Sequence, residues 1–209
     1  ALSVELGWRG LDVFHSPDFI PPYRAAKKHV ITVHDLTFLH YPQYLTEDSR
    51  AYYNAQIETA CQHADHILSV SEATKADLIS MLNVPEHKIT VQPHGAGEQY
   101  KHLSQDEISP VLQALNLPDD YILHVGTWEP RKNIIALLKA YKQLLSEIPD
   151  LPPVVLVGRR GWLFEQTQSE IEDLAINQHI FWRDTVSDEQ LPAVYNGATI
   201  NVTVSHYEG

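Results

Sequence analysis

Ionisable and polar side chains follow several short apolar runs of this chain, each at the point where a strand would end. In chain order they are His15, His34, Asp35, the stretch 126–133 and Glu208. If these runs form parallel strands, their carboxyl ends share one edge of a sheet, which is where open α/β sheets bind ligands. Any single polar loop residue is more often merely solvated, so the evidence for a site comes from several such residues together. The spacing predicts a binding or catalytic site at these strand ends.

Two adjacent cations, Arg131 and Lys132, precede the clearest helical periodicity in the sequence. Cations at a helix N-terminus oppose the helix dipole, so their placement there favours a negatively charged ligand. The first backbone N–H groups of a helix point at the same anion. This combination predicts an anion site suited to a diphosphate. The alternative is that both cations are simply solvated near a helix end.

Other common site patterns are weak. The glycines at 95 and 97 lack the third glycine of a dinucleotide-binding loop, and neither a Walker lysine loop nor a Gly-x-Ser-x-Gly elbow occurs. His63 and His66 have no cysteine or carboxylate at metal-ligand spacing, which disfavours a metal site. Cys61 lies on an apolar helical stripe and is interpreted as a core residue rather than a nucleophile.

The elements that must position these residues alternate between strands and helices. Predicted strands are 13–14, 30–33, 67–70, 89–91, 121–125, 154–158, 180–182 and 200–204. Predicted helices include 47–63 capped by Thr46, one from Ser71 to Leu82, a short one flanked by Pro110 and Pro118, 134–145, one through Ile171 and Leu174, and one after a capping box at 187–190.

Apolar strands that are each followed by a helix are typical of parallel sheets covered on both faces. The fold class predicted is therefore α/β, with two Rossmann-like parallel-sheet domains. A change of composition near residues 97–101 places the domain boundary between residue 98 and residue 99.

Composition excludes several functional classes. The chain has 209 residues, 15 Lys+Arg and 27 Asp+Glu, a formal charge of −12 that argues against binding nucleic acid. Its single cysteine rules out an intrachain disulfide and fits a reducing compartment. With no run of about 18 apolar residues and no signal-peptide pattern at the N-terminus, a cytoplasmic location is predicted.

Several stretches together resemble a known family. They are Asp12-Val13-Phe14-His15-Ser16-Pro17, Thr32-Val33-His34-Asp35-Leu36, residues 64–71, residues 91–95, Gly126-Thr127-Trp128-Glu129-Pro130-Arg131-Lys132-Asn133, and Glu208-Gly209. The chain is similar to the retaining, nucleotide-sugar-dependent glycosyltransferases of family 4, which have the GT-B architecture of two facing Rossmann-like domains. Within that family, these motifs look most like those of bacterial mannosyltransferases of polysaccharide or lipopolysaccharide assembly.

The resemblance implies roles on the donor side. Lys132 would hold the donor diphosphate together with Gly126 and Thr127, and Glu208 would be the first glutamate of an E-x7-E motif, facing the donor sugar. Many members carry an arginine at the position of Thr127, five residues before the lysine. Arg131 is the substitute that the resemblance suggests for that missing cation.

It also implies roles on the acceptor or sugar side. His34 matches the histidine that members place beside the transferred sugar, and His15 and Asp35 follow neighbouring strands on that side. Both expected domains read as incomplete, since few strands precede Asp12 and the second glutamate of E-x7-E would follow Gly209. This gives the expectation that the chain is an internal piece, inactive as given.

The activity implied is transfer of a sugar, with mannose favoured, from a nucleoside diphosphate sugar to a glycan or lipid-linked acceptor with retention of configuration. No metal or other cofactor is expected, because Lys, Arg and a helix N-terminus can stabilise the leaving diphosphate. Peripheral contact with the inner face of the membrane and a homodimer are compatible with this picture. The alternatives are a non-catalytic GT-B-like module that binds a nucleotide or a partner, and a sugar-nucleotide epimerase.

Overall fold

A computed structural model describes residues 10–19, 26–161 and 164–209 of the chain. The chain divides into two compact units, Ala1–Gly95 with Glu208–Gly209, and Ala96–Tyr207. Each unit has a four-stranded, all-parallel sheet among its described residues. The predicted α/β class with two parallel sheets is therefore confirmed.

The first unit carries its strands in the sheet order β1-β2-β3-β4. The strands are β1 (Leu11–Ser16), β2 (Ala26–Val33), β3 (His66–Ser69) and β4 (Ile89–Val91). The described helices are α1 (Thr37–His40), α2 (Glu47–His63) and α3 (Glu72–Leu82). Short 3-10 helices span Pro42–Tyr44 and Glu86–Lys88.

Local side chains fix the helix ends of this unit as the sequence predicts. The side chain of Thr46 accepts a hydrogen bond from the Ser49 N–H at the start of α2, and Ser71 caps α3 through the N–H of Thr74. These caps satisfy N–H groups that have no partner within the helix. Asn83 ends α3 in the left-handed conformation, with φ of 53°.

The core of the first unit lies between the sheet and helices α2 and α3. Ile31 and Val33 of β2, Ile67 of β3 and Leu78 of α3 are all fully buried. Burial of such side chains stabilises the fold by about 1.5 to 3 kcal/mol each. This core fixes β2, and therefore the position of His34 at its carboxyl end.

The second unit has the sheet order β7-β6-β5-β8. Its strands are β5 (Ile122–Val125), β6 (Val154–Val157), β7 (Ile180–Arg183) and β8 (Ile200–Asn201). Its described helices are α4 (Gln105–Ala114), α5 (Ile134–Leu144), α6 (Phe164–Asp173) and α7 (Leu191–Gly197). Short 3-10 helices span Pro130–Lys132 and Asn177–His179.

Strand β6 shows that helices cover both faces of this sheet. Its four residues are all buried, and successive side chains of a strand point to opposite faces. Val154 and Leu156 pack in one cluster with α5 and α6, whereas Val155 and Val157 pack in a second cluster with α4 and α7. A continuous apolar run is what such a strand requires.

Several element bounds differ from the sequence-based expectation: β1 and β2 are longer than predicted, and α1 was not predicted. Two further differences lie in the second unit. The strand predicted over 200–204 ends at Asn201: the Val202 N–H still donates to the Leu123 carbonyl of β5 at 2.8 Å, but from Val204 onwards the segment hydrogen-bonds to the turn after β5. Pro110 lies inside α4 rather than beside it. That helix begins earlier than expected because the Glu107 carboxylate accepts hydrogen bonds from the N–H and hydroxyl of Ser104, forming a capping arrangement.

None of the helices in the described part of the chain is both long and apolar enough to span a bilayer.

Candidate functional site

In the first unit, three predicted residues lie at the carboxyl edge of the sheet. His15 is exposed near the end of β1, and its Nε2 lies 2.9 Å from the hydroxyl of Thr32 on the neighbouring strand. His34 and Asp35 follow β2 directly. The parallel register, with His15 beside Val30 and Ser16 beside Ile31, explains why residues so far apart in sequence share this edge.

His34 is oriented by two contacts. Its Nε2–H donates to the carbonyl oxygen of Pro17 at 2.8 Å, and its Nδ1 lies 3.2 Å from the Nε2 of His94. Because Nε2 of His34 carries the hydrogen, its Nδ1 is the acceptor in the neutral ring and His94 is the donor. The two rings are also stacked, with centroids 5.2 Å apart.

Asp35 has a local structural contact. Its Oδ1 accepts a hydrogen bond from the backbone N–H of Thr37 at 2.8 Å, at the beginning of α1. An aspartate that bonds the backbone two residues on stabilises a turn. The contact holds the segment that follows His34 in its observed direction.

In the second unit, the turn after β5 brings two predicted residues together. A Cβ built on Gly126 would lie 3.7 Å from both Cδ and Cε of Lys132, so the lysine stem lies over this glycine. The Lys132 N–H also donates to the Glu129 carbonyl at 3.0 Å, which closes the turn. The backbone of Lys132 is therefore held in the turn after β5, with its side-chain stem beside Gly126.

The middle of this turn is anchored by Trp128. Its side chain is buried and meets Trp182 edge-on, with ring centroids 4.6 Å apart. Its backbone N–H donates to the Arg159 carbonyl and its backbone carbonyl accepts from the Gly161 N–H, which ties the turn to the loop after β6. Thr127, in contrast, is exposed.

Arg131 forms a buried ion pair that the sequence did not predict. Its Nη2 lies 2.8 Å from Oε1 of Glu129, and its Nε donates to the same oxygen at 3.0 Å. The exposed fractions of the two side chains are 15% for Arg131 and 2% for Glu129. Such a pair holds its two members in a single geometry, because breaking it would leave a buried charge without its partner.

The same turn binds the segment that follows β8. The backbone N–H of His206 donates to the Arg131 carbonyl at 3.0 Å, and Nη1 of Arg131 donates to the Tyr207 carbonyl at 2.8 Å. The side-chain amide of Asn133 donates to the Val204 carbonyl at 3.1 Å. Glu208 comes next in the chain, is exposed, and is grouped with the first unit.

Helix α5 begins at Ile134, and its N-cap residue, Asn133, directly follows Lys132. Asn133 has a left-handed conformation, with φ of 56°, and its side chain makes no capping hydrogen bond to the helix. The first N–H groups of α5 are therefore not covered by the side chain of their own N-cap residue. A helix start in this condition, next to Lys132, can stabilise an anion.

The structure thus distributes the predicted residues over two strand-end groups. His15, His34 and Asp35 share the sheet edge of the first unit, and Gly126, Thr127, Arg131 and Lys132 share the turn after β5. Sequence reasoning did not identify His94 beside His34 or Glu129 beside Arg131. The Glu-x-Arg spacing was a signal for the second pair, whereas nothing local marks the first, because His94 is far from His34 in sequence.

Residues that the sequence disfavoured as sites have structural contacts. His63 donates from Nδ1 to the Thr59 carbonyl at 2.8 Å, and His66 lies 2.8 Å from the hydroxyl of Thr90. Burial raises the pKa of the Cys61 thiol to about 11, so the reactive thiolate is disfavoured at neutral pH. Among the residues that the structure describes, no group of three or more His, Cys, Asp or Glu side chains is arranged to hold a metal ion.

Comparison with known proteins places these observations in a family. The family model described as Glycosyltransferase Family 4 matches residues 2–97, and the model described as Glycosyl transferases group 1 matches residues 106–209. The O-antigen chain mannosyltransferase B of Escherichia coli is 33% identical over 198 residues, covering 94% of this chain and 52% of that protein. This chain therefore spans about half the length of that curated relative.

Solved structures show the same fold. WaaG, a glycosyltransferase involved in lipopolysaccharide biosynthesis, superposes with a TM-score of 0.73 at 12% identity, covering 97% of this chain and 56% of that one. Anabaena HepE, crystallised in complex with UDP, gives a TM-score of 0.70 at 14% identity, covering 98% and 57%. With the two family models matched along nearly its whole length, this chain belongs to the group 1 glycosyltransferases of GT-B fold.

Proposed function

We infer that the protein transfers a sugar, specifically mannose, from a nucleoside diphosphate sugar to a glycan or lipid-linked acceptor, with retention of the anomeric configuration. The observation that carries this inference is the position of Lys132 over Gly126 at the start of α5. Together, a cation beside Gly126 and helix N–H groups that the N-cap side chain does not bind provide what a diphosphate needs.

The chemistry follows from that arrangement. The bond between the anomeric carbon and the diphosphate oxygen breaks, and a new bond forms between this carbon and the acceptor oxygen. Negative charge develops on the departing diphosphate, where Lys132 and the start of α5 stabilise it. The acceptor proton passes to the departing phosphate oxygen on the same face of the sugar, which retains the configuration. No metal is required for this charge stabilisation.

The choice of mannose and of the acceptor class rests on similarity. The relative at 33% identity is described as an O-antigen chain mannosyltransferase, and HepE was crystallised with UDP. These names describe those proteins, and they support a sugar donor and a glycan or lipid-linked acceptor for this one. His34 and Glu208 are proposed as the residues beside the transferred sugar, with His15 and Asp35 on the acceptor side.

A transfer assay tests this proposal. The protein at its full natural length is incubated with nucleoside diphosphate sugars that vary the base and the sugar separately, with and without mannose-terminated and lipid-linked acceptors. We expect acceptor-dependent release of nucleoside diphosphate that is greatest for a mannose donor and persists in EDTA. NMR of the product should show the same anomeric configuration as the donor.

Each alternative gives a different result. A binding module would bind the nucleotide in calorimetry without releasing the sugar. An epimerase would convert the donor when no acceptor is present. A product of inverted configuration would refute retention. Loss of transfer in EDTA would show that a metal contributes to the charge stabilisation assigned to Lys132. The proposed membrane contact and homodimer are tested separately by vesicle sedimentation and light scattering.

A further inference from the structure

The turn after β5 and the segment after β8 are joined at three successive places. Asn133 holds the carbonyl of Val204, the backbone carbonyl of Arg131 holds the N–H of His206, and the Arg131 guanidinium holds the carbonyl of Tyr207. β8 ends at Asn201 and the Val202 N–H makes one further bond to the Leu123 carbonyl of β5, after which these three contacts hold the chain. Segment 204–207 is therefore shaped by the turn rather than by strand pairing.

Glu129 is the residue that makes this arrangement rigid. Its carboxylate is almost completely buried, and a buried carboxylate is costly unless it is paired and hydrogen-bonded. Two nitrogens of the Arg131 guanidinium, Nε and Nη2, meet it within 3.0 Å. The planar guanidinium presents its third nitrogen in a fixed direction, and in this orientation Nη1 reaches the Tyr207 carbonyl.

We propose that Glu129 and Arg131 are positioning residues that hold segment 204–207, which directly precedes Glu208 in the chain, against the turn that carries Lys132. Arg131 then does not replace the missing cation at position 127 as a diphosphate ligand. Its three nitrogens face a carboxylate and a carbonyl, whereas Lys132 is the cation directed over Gly126. The functional part of this inference rests on the proposed glycosyl transfer.

The two roles for Arg131 predict opposite effects of Glu129→Gln. If Arg131 were a diphosphate ligand, loss of the carboxylate would leave its charge more available, and nucleoside diphosphate would bind equally well or better. If the pair positions segment 204–207, the substitution loosens that segment. Transfer then falls, because misplacing a reacting group by about 1 Å can cost a hundredfold in rate.

The experiment uses the protein at its full natural length with Glu129→Gln and Arg131→Lys. Lysine keeps the positive charge but cannot donate in the planar fork that joins Glu129 to Tyr207. Amide hydrogen exchange is followed at residues 204–207 and, as an internal reference, in β5 and β6. Turnover and the affinity for the nucleoside diphosphate without its sugar are measured on the same samples. Glu170→Gln is the matched control, because Glu170 forms an exposed ion pair with Lys139 in the same unit.

In both variants, amide exchange at 204–207 is expected to be at least about tenfold faster, with exchange in β5 and β6 unchanged. We expect kcat to fall about a hundredfold, while the affinity for nucleoside diphosphate changes less than about twofold. The control should match wild type. Unchanged exchange at 204–207 would overturn the proposal, and so would faster exchange with normal turnover. Weaker binding of nucleoside diphosphate in Arg131→Lys but not in Glu129→Gln would also overturn it. Faster exchange in β5 and β6 as well would identify a global stability effect and would also overturn it. If the wild type transfers no sugar, the proposed function fails, while the exchange data still decide whether the pair holds the segment.

Discussion

Gly158 and Gly126 approach each other so closely that the first of them has no room for a side chain. A Cβ on Gly158 would lie 2.7 Å from the carbonyl carbon of Gly126 and would overlap its oxygen. Gly158 also has a φ of 147°, which side chains rarely tolerate. The end of β6 is thus packed directly against the turn that carries Lys132.

Substituting Gly158 by alanine should therefore displace that turn. We expect a loss of about 1 to 3 kcal/mol in the free energy of unfolding, from overpacking and backbone strain, measured by urea denaturation. Gly126→Ala is the control for stability, since its Cβ would meet its nearest neighbours at 3.6 and 3.7 Å, an ordinary contact distance. Equal stability of Gly158→Ala and wild type would contradict the close approach.

Lys132→Ala should weaken binding of the nucleoside diphosphate sugar by about 1.5 to 3 kcal/mol, the range of a charge-assisted hydrogen bond. Isothermal titration calorimetry measures this loss. Lys142→Ala is the matched control because Lys142 is an exposed lysine in the last turn of the same helix. Unchanged donor affinity in Lys132→Ala would remove the diphosphate site from this turn.

His34→Ala should lower kcat by about ten- to a hundredfold, with a smaller effect on the affinity for free nucleoside diphosphate. The physical reason is that a residue beside the transferred sugar acts on the reacting group rather than on the diphosphate. Steady-state kinetics and calorimetry on the same variant separate the two quantities. Equal losses in both, together with a lower melting temperature, would instead identify a structural histidine.

The Cys61 thiol should make stability depend on pH in the alkaline range. Burial raises its pKa from 9.0 to about 11, partly offset by Lys88, so the folded state holds its proton more tightly than the unfolded state. The corresponding stability is fully present below pH 9 and is lost as the pH rises from 9 to 11, by roughly 2 to 3 kcal/mol.

The measurement compares wild type with Cys61→Ala by urea denaturation at pH 8 and at pH 11. The difference in the free energy of unfolding between the two proteins should shrink as the pH rises, because alanine has no proton to lose. A difference that is constant across this range would show that Cys61 does not titrate in this way.

Local signals were sufficient for much of the fold. The periodicity of 134–145 predicted α5, and Thr46 and Ser71 marked helix starts, because a cap satisfies backbone N–H groups within a few residues. The apolar run Val154–Val157 indicated a strand buried on both faces, and the structure confirms this. The motif around Lys132 likewise pointed to the strand end where the structure places it, although its role stays a prediction.

Only the tertiary structure decided the contacts between distant segments. The sequence predicted a strand over 200–204, whereas β8 ends at Asn201 and the segment from Val204 onwards bonds to Arg131 and Asn133. It also suggested Arg131 as a diphosphate ligand, and in the structure this guanidinium meets Glu129 and Tyr207. The partner of a charged side chain depends on which segments fold against it, and a local pattern carries no information about a carbonyl some seventy residues away. Residue types and spacing therefore determined most of the elements and predicted the kind of site, whereas packing decided which distant groups each of its side chains contacts.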